Sequence, residues 1–246
     1  VFSVVDALFK KKRFDEVGPA GKVLWYLKDL EPSGVSTIPQ QLRYEPIEFP
    51  RDLLTDDLLA LEREIDDELS NLRTPPKSDG PVTITLTFPH RRVGTLPLNA
   101  RLRQLFPTAY EAPRILVTLI DGQTGEEITG WVVREHRYVY GLNEFYRHHQ
   151  LPVGAYVTVQ TTDDPARVVV DYRAHRPRSE WIRVAVANDD NRLHFDNQKR
   201  MIGAEYDELM SLGAEDLKAV DSLWIEPDRE REVVAERVGG HVPDRQ

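Results

Sequence analysis

Cysteine is absent from this chain of 246 residues, and methionine occurs only twice. The lack of cysteine excludes disulfides, thiolate zinc sites, iron–sulfur clusters and cysteine nucleophiles. No apolar run approaches the ~20 residues that span a membrane as a helix, and no signal peptide is visible. We therefore expect a cytoplasmic protein with no membrane contact. Because residue 1 is Val, we also expect the chain to be a piece of a longer protein.

The motifs of several enzyme classes are missing as well. The sequence has no P-loop, no Gly-x-Gly-x-x-Gly, no Gly-x-Ser-x-Gly and no His-Glu-x-x-His. Paired carboxylates do occur, but they fall on a solvated helix face or in loop-like segments: Asp56-Asp57, Asp66-Asp67, Asp163-Asp164 and Asp189-Asp190. The sequence therefore predicts a non-enzymatic protein with no catalytic residue, no metal site and no cofactor.

Charge is distributed unevenly along the chain. The total is −9, but residues 79–185 carry a net +2, whereas residues 1–78 carry −4 and residues 186–246 carry −7. All 13 basic residues of the middle block are Arg, and the block also holds five of the seven His. Arg suits bidentate contacts to phosphate or guanine edges. Genome bias is an equally good explanation, because Arg outnumbers Lys 24 to 8 over the whole chain.

Composition and apolar spacing divide the chain into three segments: 1–76, 81–178 and 179–246. A Pro-rich stretch at 74–80 is the predicted linker between the first two. The first segment is predicted to be mixed α/β, with a buried strand at 23–27 and a helix at its end. The third is predicted to be mainly helical, with one apolar stripe at 195–209, another at 217–224, and a flexible tail after Pro227.

The helix that ends the first segment is predicted to run from Asp56 to about Arg73. Thr55 is a favourable N-cap, and the apolar residues recur at helical spacing: Leu58, Leu61, Ile65, Leu69 and Leu72. We expect this stripe to pack on the first segment or on the middle one. The alternative is a dimer seam, which Glu68 would interrupt.

The middle segment is predicted to be β-rich. Period-two alternation or short apolar runs indicate strands at 82–87, 114–120, 128–134, 137–140, 155–159 and 168–172. Two short helices are expected, near 99–105 and 141–149. We expect Trp131, Phe145, Leu151 and Val157 to be buried. The predicted fold class is therefore α+β, with a central, mostly antiparallel β pseudobarrel that contains two short helices.

The order of motifs in this segment resembles the DNA-binding pseudobarrel domains of plant auxin-response and related transcription factors. Those domains share their architecture with effector domains of some restriction endonucleases. About 100 of the 246 residues are covered. Two positions depart from the family pattern: Leu142 stands where the family usually has Trp, and Ala155 where it usually has Asp. The matching residues are Gly94, Leu96, Pro97, Leu105, Phe106, Pro107, Trp131, Arg134, Tyr138, Val139, Gly141, Phe145, Leu151 and Gly154.

In this family two arms grip the major groove of DNA, so the resemblance implies which residues would contact DNA here. The first arm follows the first strand, and the second is a hairpin. The implied residues are His90, Arg91, Arg92 and Thr95 in the first arm, and Arg134, His136 and Arg137 in the second. Both arms are basic, so they would neutralise phosphates, and one or two Arg or His would reach base edges.

Three hypotheses about function follow. The first is a non-enzymatic module of a longer parent protein that grips double-stranded DNA with the two arms, which is compatible with a place on the nucleoid. The second is a protein-interaction or scaffolding module on the same barrel, without nucleic acid. The acidic flanking segments and the apolar helix stripe favour the second hypothesis. The third is a fragment of a nuclease effector whose catalytic residues lie outside this chain.

Overall fold

The computed structural model describes residues 13–44, 50–65, 67–70, 80–109, 112–187 and 192–225. The predicted α+β class is confirmed, because these residues form mostly antiparallel sheets, a curled half-barrel and few helices. The strands are β1 (Phe14–Glu16), β2 (Trp25–Leu27), β3 (Val82–Thr85), β4 (Thr95–Pro97), β5 (Arg114–Asp121), β6 (Glu127–Val133), β7 (Tyr138–Tyr140), β8 (Tyr156–Thr161), β9 (Arg167–Tyr172), β10 (Ala174–Ala187), β11 (Leu193–Ala204) and β12 (Leu212–Ala214). The α-helices are α1 (Ser33–Ser36), α2 (Asp56–Glu64), α3 (Phe88–Val93), α4 (Asn143–His148) and α5 (Leu217–Ile225).

The half-barrel contains seven strands in the order β3-β8-β9-β5-β6-β7-β4. Its pairs are antiparallel except for β5 with β9, which run parallel. Alternate residues are buried in β3, β5, β8 and β9, as expected for a sheet with one buried face; in β5 the buried apolar residues are Ile115, Val117 and Leu119. The second half of β6 and strand β7 are buried on both faces. The four side chains that the sequence predicts to be buried are confirmed: Trp131, Phe145, Leu151 and Val157 are each at most 2% exposed.

The helices of the middle segment agree with the prediction only in part. The expected helix near 141–149 is present as α4, but the expected helix over 99–105 is wrong, because only one 3-10 turn forms there, at Leu102–Gln104. Asn99 caps this turn by accepting the N–H of Leu102 at 2.8 Å, and Pro107 disfavours helical geometry at the preceding residue. Helix α3 was not expected at all.

Residues 13–44 pack against the half-barrel as a second core. Val17, Val35 and Leu42 form one cluster with Trp131 and Tyr138 of strands β6 and β7. The strand predicted at 23–27 is present in part as β2, but the expectation that it is buried is wrong. Among the described strands β2 pairs only with β1, and the two residues before it are exposed.

The helix at the end of the first segment is shorter and more exposed than predicted. Helix α2 ends at Glu64 rather than near Arg73, and the described residues of its apolar stripe are 49% to 60% exposed. The expectation that this stripe packs on the rest of the chain is therefore wrong. One reason is that the 13–44 segment already covers β6 and β7. The other is that residues 67–70 form a turn, in which Asp67 accepts the N–H groups of Leu69 and Ser70 at 3.0 and 2.7 Å.

The third segment is not mainly helical in the part that the structure describes. Strands β10 and β11 form a long antiparallel hairpin, β12 pairs with β10 in parallel, and α5 is the helix that follows. The helical stripe predicted at 195–209 is wrong, because Phe195 and Ile202 lie on strand β11, with Phe195 exposed and Ile202 buried, and the residues after Ala204 lie beyond the strand. A backbone bridge between Ala155 and Tyr206 joins the hairpin to the half-barrel. The predicted flexible tail lies outside the described residues.

Candidate nucleic-acid interface

Gly94 brings the end of α3 against the start of α4. Its φ of 78° is left-handed, a conformation that glycine adopts freely at the end of a helix. Its carbonyl oxygen accepts the N–H groups of Gly141 and Leu142 at 3.3 and 2.8 Å. A Cβ at this position would lie 2.5 Å from the backbone nitrogen of Asn143, so the two helices meet at a contact that only glycine allows.

A groove of about 450 Å³ lies beside this junction, and we call it the arginine groove. Its polar side chains are Arg91 and Arg92 from α3 and Asn143 and Arg147 from α4. The remaining lining is apolar and comes from Phe88 of α3, from residues 151–153 after α4, from strands β10 and β12, and from Leu217 of α5. Among the described residues, no carboxylate lines the groove. Three guanidinium groups thus share one concave site in a chain whose net charge is −9.

The arginines of the groove lie close enough to repel one another. Burial lowers the pKa of Arg91, and the positive charges of Arg147 and Arg92 lower it further. Arg91 is held in place by donating its Nε–H to the carbonyl of Leu151 at 2.6 Å and by lying 5.8 Å from the centre of the Tyr146 ring. Arg147 is exposed and pairs with Glu144 at 3.1 Å. A bound anion would relieve this repulsion.

Two residues of the predicted first arm point away from the groove. His90 and Thr95 are buried, and His90 Nδ1 lies 2.8 Å from Thr95 Oγ1. On the other side of the ring, His90 Nε2 donates to Glu68 Oε1 at 2.9 Å. Helix α3 therefore turns His90 inward and carries Arg91 and Arg92 along the groove, so the first arm is divided between two environments.

The predicted second arm, at the turn between β6 and β7, lies apart from the arginine groove. Arg134 donates Nη1–H to the carbonyl of Pro107 at 2.9 Å, and burial followed by the charge of Arg103 lowers its pKa. Arg137 donates Nη1–H to the carbonyls of Glu68 and Ser70 at 2.9 and 2.8 Å. Only His136 of this arm is exposed, and its ring lies parallel to that of Tyr138. Arg134 and Arg137 therefore both donate hydrogen bonds to backbone carbonyls of the chain itself.

A smaller cavity of about 250 Å³ lies where the second arm meets residues 67–70. Glu68 accepts from His90 and from the hydroxyl of Tyr44, the latter at 2.6 Å. Burial raises the pKa of Glu68, but the hydrogen bonds from His90 and Tyr44 outweigh it and lower the pKa to about 2. The Glu68 carboxylate, the His90 imidazole and the Thr95 hydroxyl form a chain of hydrogen bonds that resembles a catalytic triad. Thr95 is fully buried, however, so a substrate could not reach its hydroxyl. The chain of contacts ties residues 67–70 to the half-barrel.

Another buried pair joins Asp121 to His149, whose Nε2 lies 2.6 Å from Asp121 Oδ2. Asp121 also accepts backbone N–H groups of the turn that follows β5, and these bonds together with His149 lower its pKa against the effect of burial. In the described part of the chain no three such groups come together as metal ligands. None of the helices described is long and apolar enough to cross a membrane.

A scan against models of known protein families found no match for this chain, and a search of the curated proteins found no significant match either. The resemblance to DNA-binding pseudobarrels therefore stays a prediction. Sequence reasoning included Arg91 and Arg92 but missed Arg147 and Asn143. These two are four residues apart in the helix that was predicted near 141–149, and helical spacing therefore puts them on one face. The sequence contains no pattern that predicts the packing of this helix face beside Arg91, because that packing is a tertiary contact.

Proposed function

We propose that this chain is a non-enzymatic module that binds the phosphate backbone of double-stranded DNA through the arginine groove. The observation that carries the proposal is the meeting of Arg91, Arg92 and Arg147 in a groove lined by no described carboxylate. Guanidinium groups neutralise phosphates and release counterions, which supplies most of the sequence-independent affinity for DNA. The asparagine amide of Asn143 adds a donor and an acceptor beside them.

This interface differs from the one that the family resemblance implies. Arg92 and Arg91 remain in it, Arg147 joins it, and the three residues of the hairpin arm stand outside it. Arg134 and Arg137 donate hydrogen bonds to backbone carbonyls. Their removal would therefore lower the stability of the fold rather than remove a direct contact with DNA. The proposal therefore locates phosphate contacts on α3 and α4.

A mobility shift with mixed-sequence duplex at low salt tests the proposal. The double variant Arg92→Ala/Arg147→Ala should bind at least tenfold more weakly than the unchanged chain, because it loses two phosphate contacts. Arg173→Ala is the control, since it removes one arginine whose side chain is 55% exposed and which follows β9 outside the lining of the groove. If the control weakened duplex binding as much as the double variant does, the loss of affinity would reflect net charge alone. If the double variant bound duplex as tightly as the unchanged chain, DNA binding by the groove would be rejected.

The second candidate function is a protein-interaction or scaffolding module without nucleic acid. The exposed apolar stripe of α2 favours it, because Leu58, Leu61 and Ile65 stand at helical spacing on a surface helix. Under this hypothesis the groove variants would leave all binding properties unchanged. Substitution of Leu61 and Ile65 by Ser would then abolish a self-association visible by sedimentation velocity.

A further inference from the structure

The hairpin of β10 and β11 turns a row of aromatic and basic side chains outward. Trp181 pairs with Lys199, and Arg183 pairs with Asn197, in one antiparallel register. Paired residues and their second neighbours along a strand share a face of the sheet, so Phe195 lies on the same face. Trp181 and Phe195 are 65% and 57% exposed. We call these five residues the hairpin face.

The hairpin face is positively charged. The acidic residues of the two strands are Glu180 and Asp196, and both alternate onto the opposite face. On the hairpin face itself, Lys199 Nζ lies 5.1 Å from the centre of the Trp181 ring. Two exposed rings and two cations are therefore combined on a surface to which neither strand contributes a carboxylate.

We propose that the hairpin face binds single-stranded nucleic acid. Flat aromatic rings offer stacking platforms for unpaired bases, and cations beside them take the intervening phosphates. Trp181 and Phe195 are offset by four residues along the hairpin, which separates them by about 14 Å at about 3.4 Å per residue. Arg183 and Asn197 lie between them, where a phosphate and a base edge of an intervening nucleotide would fall. This site is independent of duplex binding by the arginine groove.

Charge argues against a second copy of the chain as the occupant. A two-fold contact through this face would bring Arg183 and Lys199 of each copy against the same face of the other, with no carboxylate from either hairpin face to pair with them. A polyanion with exposed ring faces can stack on Trp181 and Phe195 and can also pair with the cations Arg183 and Lys199. Nucleic acid without a complementary strand is such a polyanion, because its bases are free to leave the stack.

Fluorescence anisotropy with a labelled single-stranded oligothymidine tests this proposal on the full chain. Trp181→Ala and Phe195→Ala should each weaken binding about tenfold, whereas Trp181→Phe should keep most of the affinity because a ring remains. Met201→Ala is the matched control, since Met201 is an exposed apolar residue of β11 without an aromatic ring. Melting temperatures of all variants should stay within a few degrees of the parent, because these side chains are exposed.

The outcomes separate this proposal from the proposed duplex binding. Single-strand binding that survives Arg92→Ala/Arg147→Ala but not Trp181→Ala supports the hairpin face, whether or not the groove binds duplex. Single-strand binding lost in the groove variant and kept in Trp181→Ala overturns it. Absence of binding at micromolar protein in low salt overturns it too. A dimer seen by sedimentation velocity and broken by Trp181→Ala, without nucleic-acid binding, would assign the face to a second copy instead.

Discussion

Arg147 of α4 lies close to Arg91 of α3. Burial lowers the pKa of Arg91, and the positive charge of Arg147 lowers it further. The packing of Gly94 on Asn143 brings the two helices together, and no carboxylate of the described residues lines the groove between them. Such a pair of cations is unfavourable in the absence of an anion and favourable in its presence. This coupling is the physical reason why we propose that the arginine groove binds an anion.

Inorganic phosphate should therefore raise the melting temperature of the unchanged chain, and Arg147→Ala should remove much of that rise. In phosphate-free buffer the same substitution should change the free energy of unfolding by no more than about 0.5 kcal/mol, because Arg147 is exposed and its pairing with Glu144 is a surface ion pair. Differential scanning fluorimetry over a phosphate series measures both effects. A phosphate-induced rise that is equal in the two proteins would contradict an anion site at Arg147.

Glu68 should make the fold sensitive to acid. Its pKa is lowered from 4.5 to about 2 in the folded chain, so its contribution is present above pH 4.5 and is lost as the pH falls towards 2. The shift corresponds to at most about 3–4 kcal/mol. Urea unfolding at a series of pH values should show stability falling through this window, and Glu68→Gln should flatten the fall. An unchanged slope in the variant would show that Glu68 is not bound to His90 as described.

Gly94→Ala should destabilise the fold by about 1–3 kcal/mol, because a left-handed φ and a Cβ at 2.5 Å from the Asn143 nitrogen both oppose the side chain. It should also weaken duplex binding by separating α3 from α4. Gly125→Ala is a suitable control, since Gly125 has a φ of 77° but open space around its missing Cβ. If the two substitutions had the same effect on stability, backbone strain alone would account for it, and the close packing of α3 on α4 would contribute nothing.

The apolar stripe of α2 should contribute little to stability. Leu61→Ala and Ile65→Ala should each change the free energy of unfolding by less than about 0.5 kcal/mol, because both side chains are about half exposed. Leu102→Ala removes a fully buried side chain of the half-barrel core and should cost about 2–5 kcal/mol. Chemical denaturation of the three variants compares them directly. A cost of several kcal/mol at Leu61 would mean that the stripe is covered in solution.

Sequence patterns predicted the half-barrel well, because a sheet with one buried face imposes period-two alternation, as in β5. They failed at β10 and β11, where both Trp181 and Phe195 face solvent and the spacing of Phe195, Ile202 and Tyr206 happens to match a helix. They also failed at α2, because the contacts of Glu68 with His90 and of Arg137 with backbone carbonyls override helical propensity. The arginine groove depends on the close approach at Gly94, a tertiary contact that no local pattern carries.

The salt dependence of duplex binding tests the central claim most directly. Anisotropy titrations at several salt concentrations give the slope of log K against log salt, which falls by about 0.9 for each phosphate contact removed. The account predicts a clear slope for the unchanged chain, a slope smaller by about two for Arg92→Ala/Arg147→Ala, and no change for Arg173→Ala. A slope that is identical in the unchanged chain and the double variant would contradict phosphate binding by the arginine groove.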